Sequence, residues 1–221
     1  MNFLQLVQRT RQEVGYSGSG PASVAAQAGV FAKIVDWVKT AWLDVQRESI
    51  SWRFGWASST VSLAAGQASY DPVGEWGLAI RFIADHAIYI TNPANAGAKY
   101  FVQMVAWPEY RMLPNSPAIV GLPSTCSRAP DGRLHFFPAP FAGLFLTIEY
   151  TRSPQVLEEN LDVPRMPDEY HMAIVWRAVV LACAHDENVP LMQIANANYK
   201  SIIGSMRITE EPGFTSAGPL A

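Results

Sequence analysis

The strongest constraint in this sequence is a change of period along the chain. Apolar residues recur at three- and four-residue steps near both ends and at two-residue steps in the middle. The first spacing lines one face of a helix, and the second lines one face of a strand. Residues 29–48 show the clearest helical stripe: Phe31, Ile34, Val38, Trp42 and Val45, with Lys33, Asp36, Lys39 and Arg47 on the outer face. Residues 2–14 predict a shorter helix with Phe3, Leu6, Val7 and Val14 on one side and Asn2 placed to cap it. The run GYSGSGP at 15–21 stops that helix. Helix resumes at Pro167, where Asp168 and Glu169 complement the dipole of the first turn. Its apolar face is Tyr170, Ile174, Val175, Ala178 and Ala182, and Pro190 opens a last helix to about Met206, with Ile194, Ile202 and Met206 inward.

From about residue 55 the texture is that of strands. STVSLAAGQASYDP reads as two short strands around a turn, and LAIRFI and AIYIT as strands rich in β-branched and aromatic residues. KYFVQMVAWPEYRML fits either a short helix or a strand. Pro130-Asp131-Gly132 marks a tight turn before Leu134 and Phe136, which share a face. In the strand that follows, Leu144, Leu146, Ile148 and Tyr150 alternate with Phe145, Thr147 and Glu149, and two largely apolar faces predict an interior position. The fold class expected is α+β: a helical bundle made by both chain ends with a β-rich insertion. Its parts are 1–54, the insertion 55–152, helices over 153–207, and an extended tail over 208–221.

Composition narrows the function. The chain has 221 residues, 16 Lys+Arg against 19 Asp+Glu, and a formal charge of −3. With 49% hydrophobic residues it is no disordered chain, and the basic footprint of a DNA reader is missing. Charged residues make up 16%, below the roughly 25% of ordinary soluble domains, so much of the surface is expected to meet protein. Two cysteines are too few for a disulfide framework. Arg9 and the absence of a basic n-region exclude a secretory signal at residues 1–13, and Arg177 interrupts the longest apolar stretch well short of a membrane span.

Catalytic chemistry finds no footing in the sequence. His86, His135, His171 and His185 lack metal-ligand spacing. Cys183 and His185 are two residues apart on a helix and face different ways, so Cys183 reads as a small buried hydrophobe. No nucleophile elbow, phosphate loop or dinucleotide fingerprint is present. Arg53 with Trp52, Phe54 and Trp56 is the one basic-aromatic cluster, expected to bury indoles at a helix end. No catalytic, cofactor-binding or metal-binding residue is assigned, no cofactor is expected, and the chain reads as no enzyme.

A series of segments then carries a resemblance. FLQLVQRTRQEVGYSGSGPASV, FAKIVDWVKTAWLDVQ and SWRFGW, followed by GLPSTCSRAPDGRLHFFPAP, IEYTRSPQVL, VPRMPDEYHMAIVWRA and ANANYKSIIGSM, resemble in order the head-to-tail adaptor proteins of tailed bacteriophages. Residues 68–110 match only loosely. The resemblance implies a structural virion protein at the neck, synthesised in the host cytoplasm and forming a ring, usually twelve-fold, beneath the portal. The ring prolongs the DNA channel and offers a docking platform to a downstream neck or tail protein. Implied partners are copies of itself, the portal, that downstream protein, and DNA passing without sequence-specific contact; no membrane is implied. Twelve copies at −3 each would carry −36, which would repel phosphates in the lumen. A C-terminal extension docks on the portal in related adaptors, which assigns Glu210, Glu211, Gly213, Phe214 and Leu220 to portal binding. The alternative readings are a tail terminator or completion ring, or a small virion-associated hydrolase.

Overall fold

The structure is a computed structural model that describes residues 1–84, 86–95, 98–114 and 119–211. Its five α-helices and several sheets make it an α+β protein. By its internal contacts the chain divides into two compact units: Met1–Gly55 with the chain from Pro154 onward, and Trp56–Ser153.

The first unit is helical, built from α1 (Phe3–Val14), α2 (Gly29–Arg47), α4 (His171–His185) and α5 (Val189–Glu210). Local chemistry sets the ends of α1. The Asn2 side chain accepts the Gln5 N–H, and the Gln5 side chain accepts the Asn2 N–H, each at 2.9 Å. Gly15 closes the helix at φ 85, a left-handed conformation open to a residue without Cβ. α4 is the hub and packs against α1, α2 and α5. Its sequence is apolar nearly all round, and Ala173, Ala178 and Ala182, all fully buried, let neighbouring backbones come close. The helix expected at Pro167 begins as a 3-10 turn, Asp168–Tyr170, and becomes α-helical at His171.

The phase of α5 differs from the expectation. Ala195, Tyr199, Ile203 and Met206 face the core, whereas Ile194, expected inward, is 58% exposed. The reason lies at the end of another helix: the buried Tyr199 hydroxyl donates to Oε1 of Glu48, the residue that caps α2, at 3.1 Å, which fixes the rotation about the axis. Arg177 adds to this lock, bonded to Asp44 at 2.8 Å and lying 5.9 Å from the centre of the Tyr199 ring. α5 also continues through Glu210 and so takes in the first three residues, 208–210, of the expected extended tail.

The second unit carries eleven strands, one short α-helix and a 3-10 turn at Pro93–Asn95 among its described residues. In chain order they are β1 (Trp56–Ser62), β2 (Ser69–Tyr70), β3 (Ile80–Phe82), β4 (Ile88–Thr91), β5 (Lys99–Phe101) and β6 (Gln103–Met104). Then come the helix α3 (Trp107–Tyr110), β7 (Val120–Gly121), β8 (Thr125–Arg128), β9 (Leu134–Phe137), β10 (Ala139–Pro140) and β11 (Phe145–Arg152). One sheet runs β1-β11-β4-β5, with β3 joined to the end of β11; another runs β2-β9-β8-β6, and β10 pairs with β7. β11 is interior, as its two apolar faces predict, and Leu146 and Ile148 are fully buried.

The two strands read around the turn at Gly66 do form, but not as a hairpin: β1 pairs with β11 and β2 with β9. The buried Tyr70 explains the split. Its hydroxyl accepts the Ala64 N–H and donates to the Ala64 carbonyl, each at 3.0 Å, carrying the connection from one sheet to the other. The ambiguous stretch after Ala98 holds both structures in succession, β5 and β6 and then α3. The Pro130-Asp131-Gly132 turn joins β8 to β9, with Gly132 at φ 89 and Asp131 accepting the Arg133 N–H at 3.1 Å. Gly132→Ala should cost about 1–2 kcal/mol, because a Cβ disfavours that left-handed backbone. Urea unfolding of the β unit checks this, and an unchanged midpoint would refute it. The Phe137–Pro138 peptide is cis.

Candidate interaction surfaces

The titratable groups come together at one end of the helical unit. Lys33 Nζ lies 2.8 Å from His185 Nε2, and His185 Nδ1 lies 2.9 Å from Asp186 Oδ1. Asp186 Oδ2 in turn accepts the hydroxyl of Tyr16. The hydrogen bond from Tyr16, then that from His185, holds the Asp186 carboxyl below the usual carboxylate range. Burial first, and the same carboxylate second, raise the Tyr16 phenol to about 12. The network ties the segment after α1 to α2 and the end of α4. It does not prepare Cys183 for attack: that thiol is buried, burial pushes its pKa up, and both nitrogens of His185 are engaged elsewhere. Cys126, also buried, is raised by the same cause. Among the described residues, no group of three His, Cys, Asp or Glu is placed to hold a metal ion.

A second titratable contact lies at the start of α4. His171 is wholly buried, and its Nε2 lies 3.1 Å from Met166 O, so Nε2–H donates there. Nδ1 then faces the Met1 amine at 2.6 Å, with Asp168 Oδ1 3.3 Å away on the exposed side. Burial, then the positive amine, lower the His171 pKa. A histidine depressed in the folded state binds its proton more readily when unfolded. Stability should therefore fall as pH drops from 7 through about 6.5, the ordinary histidine value, with a slope of at most about 1.4 kcal/mol per pH unit per proton. His135, lowered by burial in the β unit, acts in the same direction. The lowered Asp162 and Asp186 lose their contribution only in the acid range below the usual carboxylate value. His171→Gln should flatten the pH 7 to 5 melting profile of the helical unit; profiles of equal slope would refute this role.

Ordered surface segments also present apolar side chains. Residues 153–166 have no helix or strand, yet side-chain bonds fix them throughout. Gln46 accepts the Gln155 N–H at 2.7 Å and donates to the Gln155 carbonyl at 2.9 Å. Asp162 Oδ2 accepts the N–H groups of Glu158 and Glu159 at 2.7 and 2.9 Å, which lowers its pKa. Asn160 Oδ1 accepts the Val24 N–H at 2.7 Å. Leu157 and Met166 anchor the segment in the core, while Val156, Leu161 and Val163 stand out in solvent. Sequence reasoning missed this surface; its one signal is apolar residues set singly among Asn, Asp and Pro. In the β unit, Trp107, Tyr110, Arg111, His135 and Phe137 line a cleft of about 270 Å³ with aromatic walls.

The basic-aromatic cluster separates into two roles. Trp52 is buried, donates Nε1–H to Val45 O at 3.0 Å and stacks on Phe54 at 5.8 Å. Trp56, expected to be buried with it, opens β1 and is 52% exposed. Of the residues assigned to portal binding, Glu210 closes α5 and Glu211 caps it, its N–H donating to Arg207 O at 3.2 Å. Ile208, one turn earlier, is 85% exposed. Gly213, Phe214 and Leu220 lie outside the described residues.

Fold and surface define a class: an α+β protein whose ordered exterior carries apolar side chains, without an assembled reacting group among the described residues. The family model described as SU10 adaptor protein matches residues 1–220, and the chain belongs to that family of phage head-tail adaptors. It is accordingly a phage adaptor protein and a component of the virion neck, from a structural family and not an enzyme family. A search of curated proteins gives no match. No helix among the described residues is long and apolar enough to cross a membrane.

Proposed function

We propose that the chain is the subunit of a head-to-tail adaptor ring of twelve copies bound beneath the portal. The ring extends the DNA channel and gives a downstream neck or tail protein its platform, and no covalent chemistry is required of it. The observation that carries this reading is the family match along essentially the whole chain. The sparse charge, 16% of residues, supports it, since each subunit of a ring is flanked by copies on both sides. Net charge supports it too: at −3 per copy, a lumen lined with acidic groups would repel phosphates and let DNA slide.

Portal binding is assigned to the chain end, through Glu210, Glu211, Gly213, Phe214 and Leu220. The exposed Ile208 and the acidic end of α5 lead into it, and Phe214, which follows Pro212-Gly213, and Leu220, which follows Gly218-Pro219, supply apolar anchors. The test is negative-stain microscopy of the full chain alone and mixed with the portal from the same genome. A ring stacked coaxially on the portal is the expected result. A chain that stays monomeric and never binds portal would overturn the reading.

A further inference from the structure

β1 is an open edge. Leu63 N–H donates to Leu144 O at 2.9 Å, so by the alternation of an antiparallel ladder Ala57, Ser59 and Val61 bond to β11. The backbone groups of Ser58, Thr60 and Ser62 therefore point away from the sheet, and all three residues are exposed. Among the described residues no strand pairs with that edge, and the side chain of Arg152 donates to its first carbonyl, Trp56 O, at 3.0 Å. Its sequence, WASSTVS, holds no charge, proline or glycine, although exposed edges are normally guarded by such residues or by a covering segment.

The other edge of the same sheet has the complementary form. Val102 N–H donates to Ile88 O at 3.0 Å, so on β5 the backbone groups of Lys99 and Phe101 face outward. The four strands alternate in direction, so β1 and β5 run oppositely, and β5 of a second copy would lie antiparallel against β1. Bonded pairs also change face from one ladder to the next. Ser58 and Thr60 share the face of Glu149 and Thr147, and Lys99 and Phe101 share the face of Thr91 and Tyr89. Both edges thus present the same face of the sheet, the one that the alternation requires for the next ladder.

Charge and shape choose the register. Phe101 and Trp56 are the most exposed aromatic side chains on that face, at 61% and 52%. Setting Phe101 opposite Trp56 places Lys99 opposite Ser58, and the neighbour of Ser58 on β11 is Glu149. A lysine stem can cross the small serine to reach that carboxylate. We infer that β1 of one copy pairs with β5 of the next, joining the β units of neighbouring subunits into one antiparallel sheet. This rests on the ring reading above and names its subunit contact. The contact is heterologous, the kind that repeats around a closed ring.

The test is a disulfide scan of the full chain. Paired Cα atoms in a bonded antiparallel pair are about 5.5 Å apart, inside the disulfide range of about 4.4–6.8 Å. The native Cys126 and Cys183 are buried and do not interfere. Ser58→Cys with Lys99→Cys in one chain, assembled on the portal protein and mildly oxidised, should pass mostly into covalent species larger than dimers, while each single variant stays monomeric on the gel. Crosslinking through Thr60→Cys with Lys99→Cys instead would keep the edge pairing and overturn the register. Rings visible by microscopy without any crosslink would overturn the edge pairing and leave the ring reading standing. Dimers from Ser58→Cys alone would replace it with β1–β1 pairing. A chain that forms no ring overturns both.

Discussion

Trp42→Ala is expected to destabilise the helical unit by about 3–5 kcal/mol. Trp42 sits in the C-terminal half of α2 with no exposed surface, and its ring centre lies 5.9 Å from that of Phe54, which stacks on Trp52. Truncation would remove the largest fully buried side chain of the unit and leave a cavity that three helices, held by their own caps and contacts, can close only in part. Trp42 Nε1 has no hydrogen-bond partner among the described residues, so the loss is packing and transfer energy and not a broken polar contact. Against a typical total of about 5–15 kcal/mol, that is a large share. Guanidinium unfolding followed by far-UV circular dichroism checks it. A loss below about 1 kcal/mol would mean that the site collapses around the alanine, and Trp42→Phe should fall between the two.

The parts legible in the sequence are those set by neighbouring residues. Asn2 with Gln5 and then Gly15 encode both ends of α1, and the 31-34-38-42-45 spacing encodes α2. Pro130-Asp131-Gly132 encodes the β8–β9 turn, and the alternation through Leu146 and Ile148 encodes β11. What local pattern does not encode is the partner. Ser58 faces Glu149 across the ladder, about as far apart in the chain as two strands of this unit can be, and no nearby residue specifies that register. The rotation of α5 depends on Glu48 reaching Tyr199 from the end of another helix, so periodicity alone placed Ile194 inward. Segment 153–166 has no period, because Gln46, Gln155 and Asp162 hold its backbone in place of a ladder. The candidate portal-binding residues were legible as composition only: apolar Phe214 and Leu220 in a setting with no element to bury them.

Removing residues 212–221 is expected to abolish portal binding while leaving the fold intact. The cut belongs after Glu211 and not at residue 208. Met206 is fully buried, Thr209 Oγ1 lies 2.8 Å from the Tyr170 hydroxyl, and the Glu211 N–H caps α5 on Arg207 O. Deleting from Ile208 would disturb that last turn and confuse binding with stability. With the cut at Glu211, the thermal melt should match that of the full chain, and any binding loss belongs to the removed segment. The two classes of group at the chain end, the retained Glu210 and Glu211 and the removed apolar residues, separate by salt. If Glu210 and Glu211 dominate, Glu210→Gln with Glu211→Gln should weaken portal binding most at low ionic strength. If the apolar anchors dominate, Phe214→Ala should cost about 1 kcal/mol or more, roughly fivefold or greater in affinity, at any salt concentration. Co-sedimentation with the portal protein reads both. Portal binding that survives the loss of 212–221 would move the contact elsewhere on the helical unit, with the exposed Val156, Leu161 and Val163 the next surface to test.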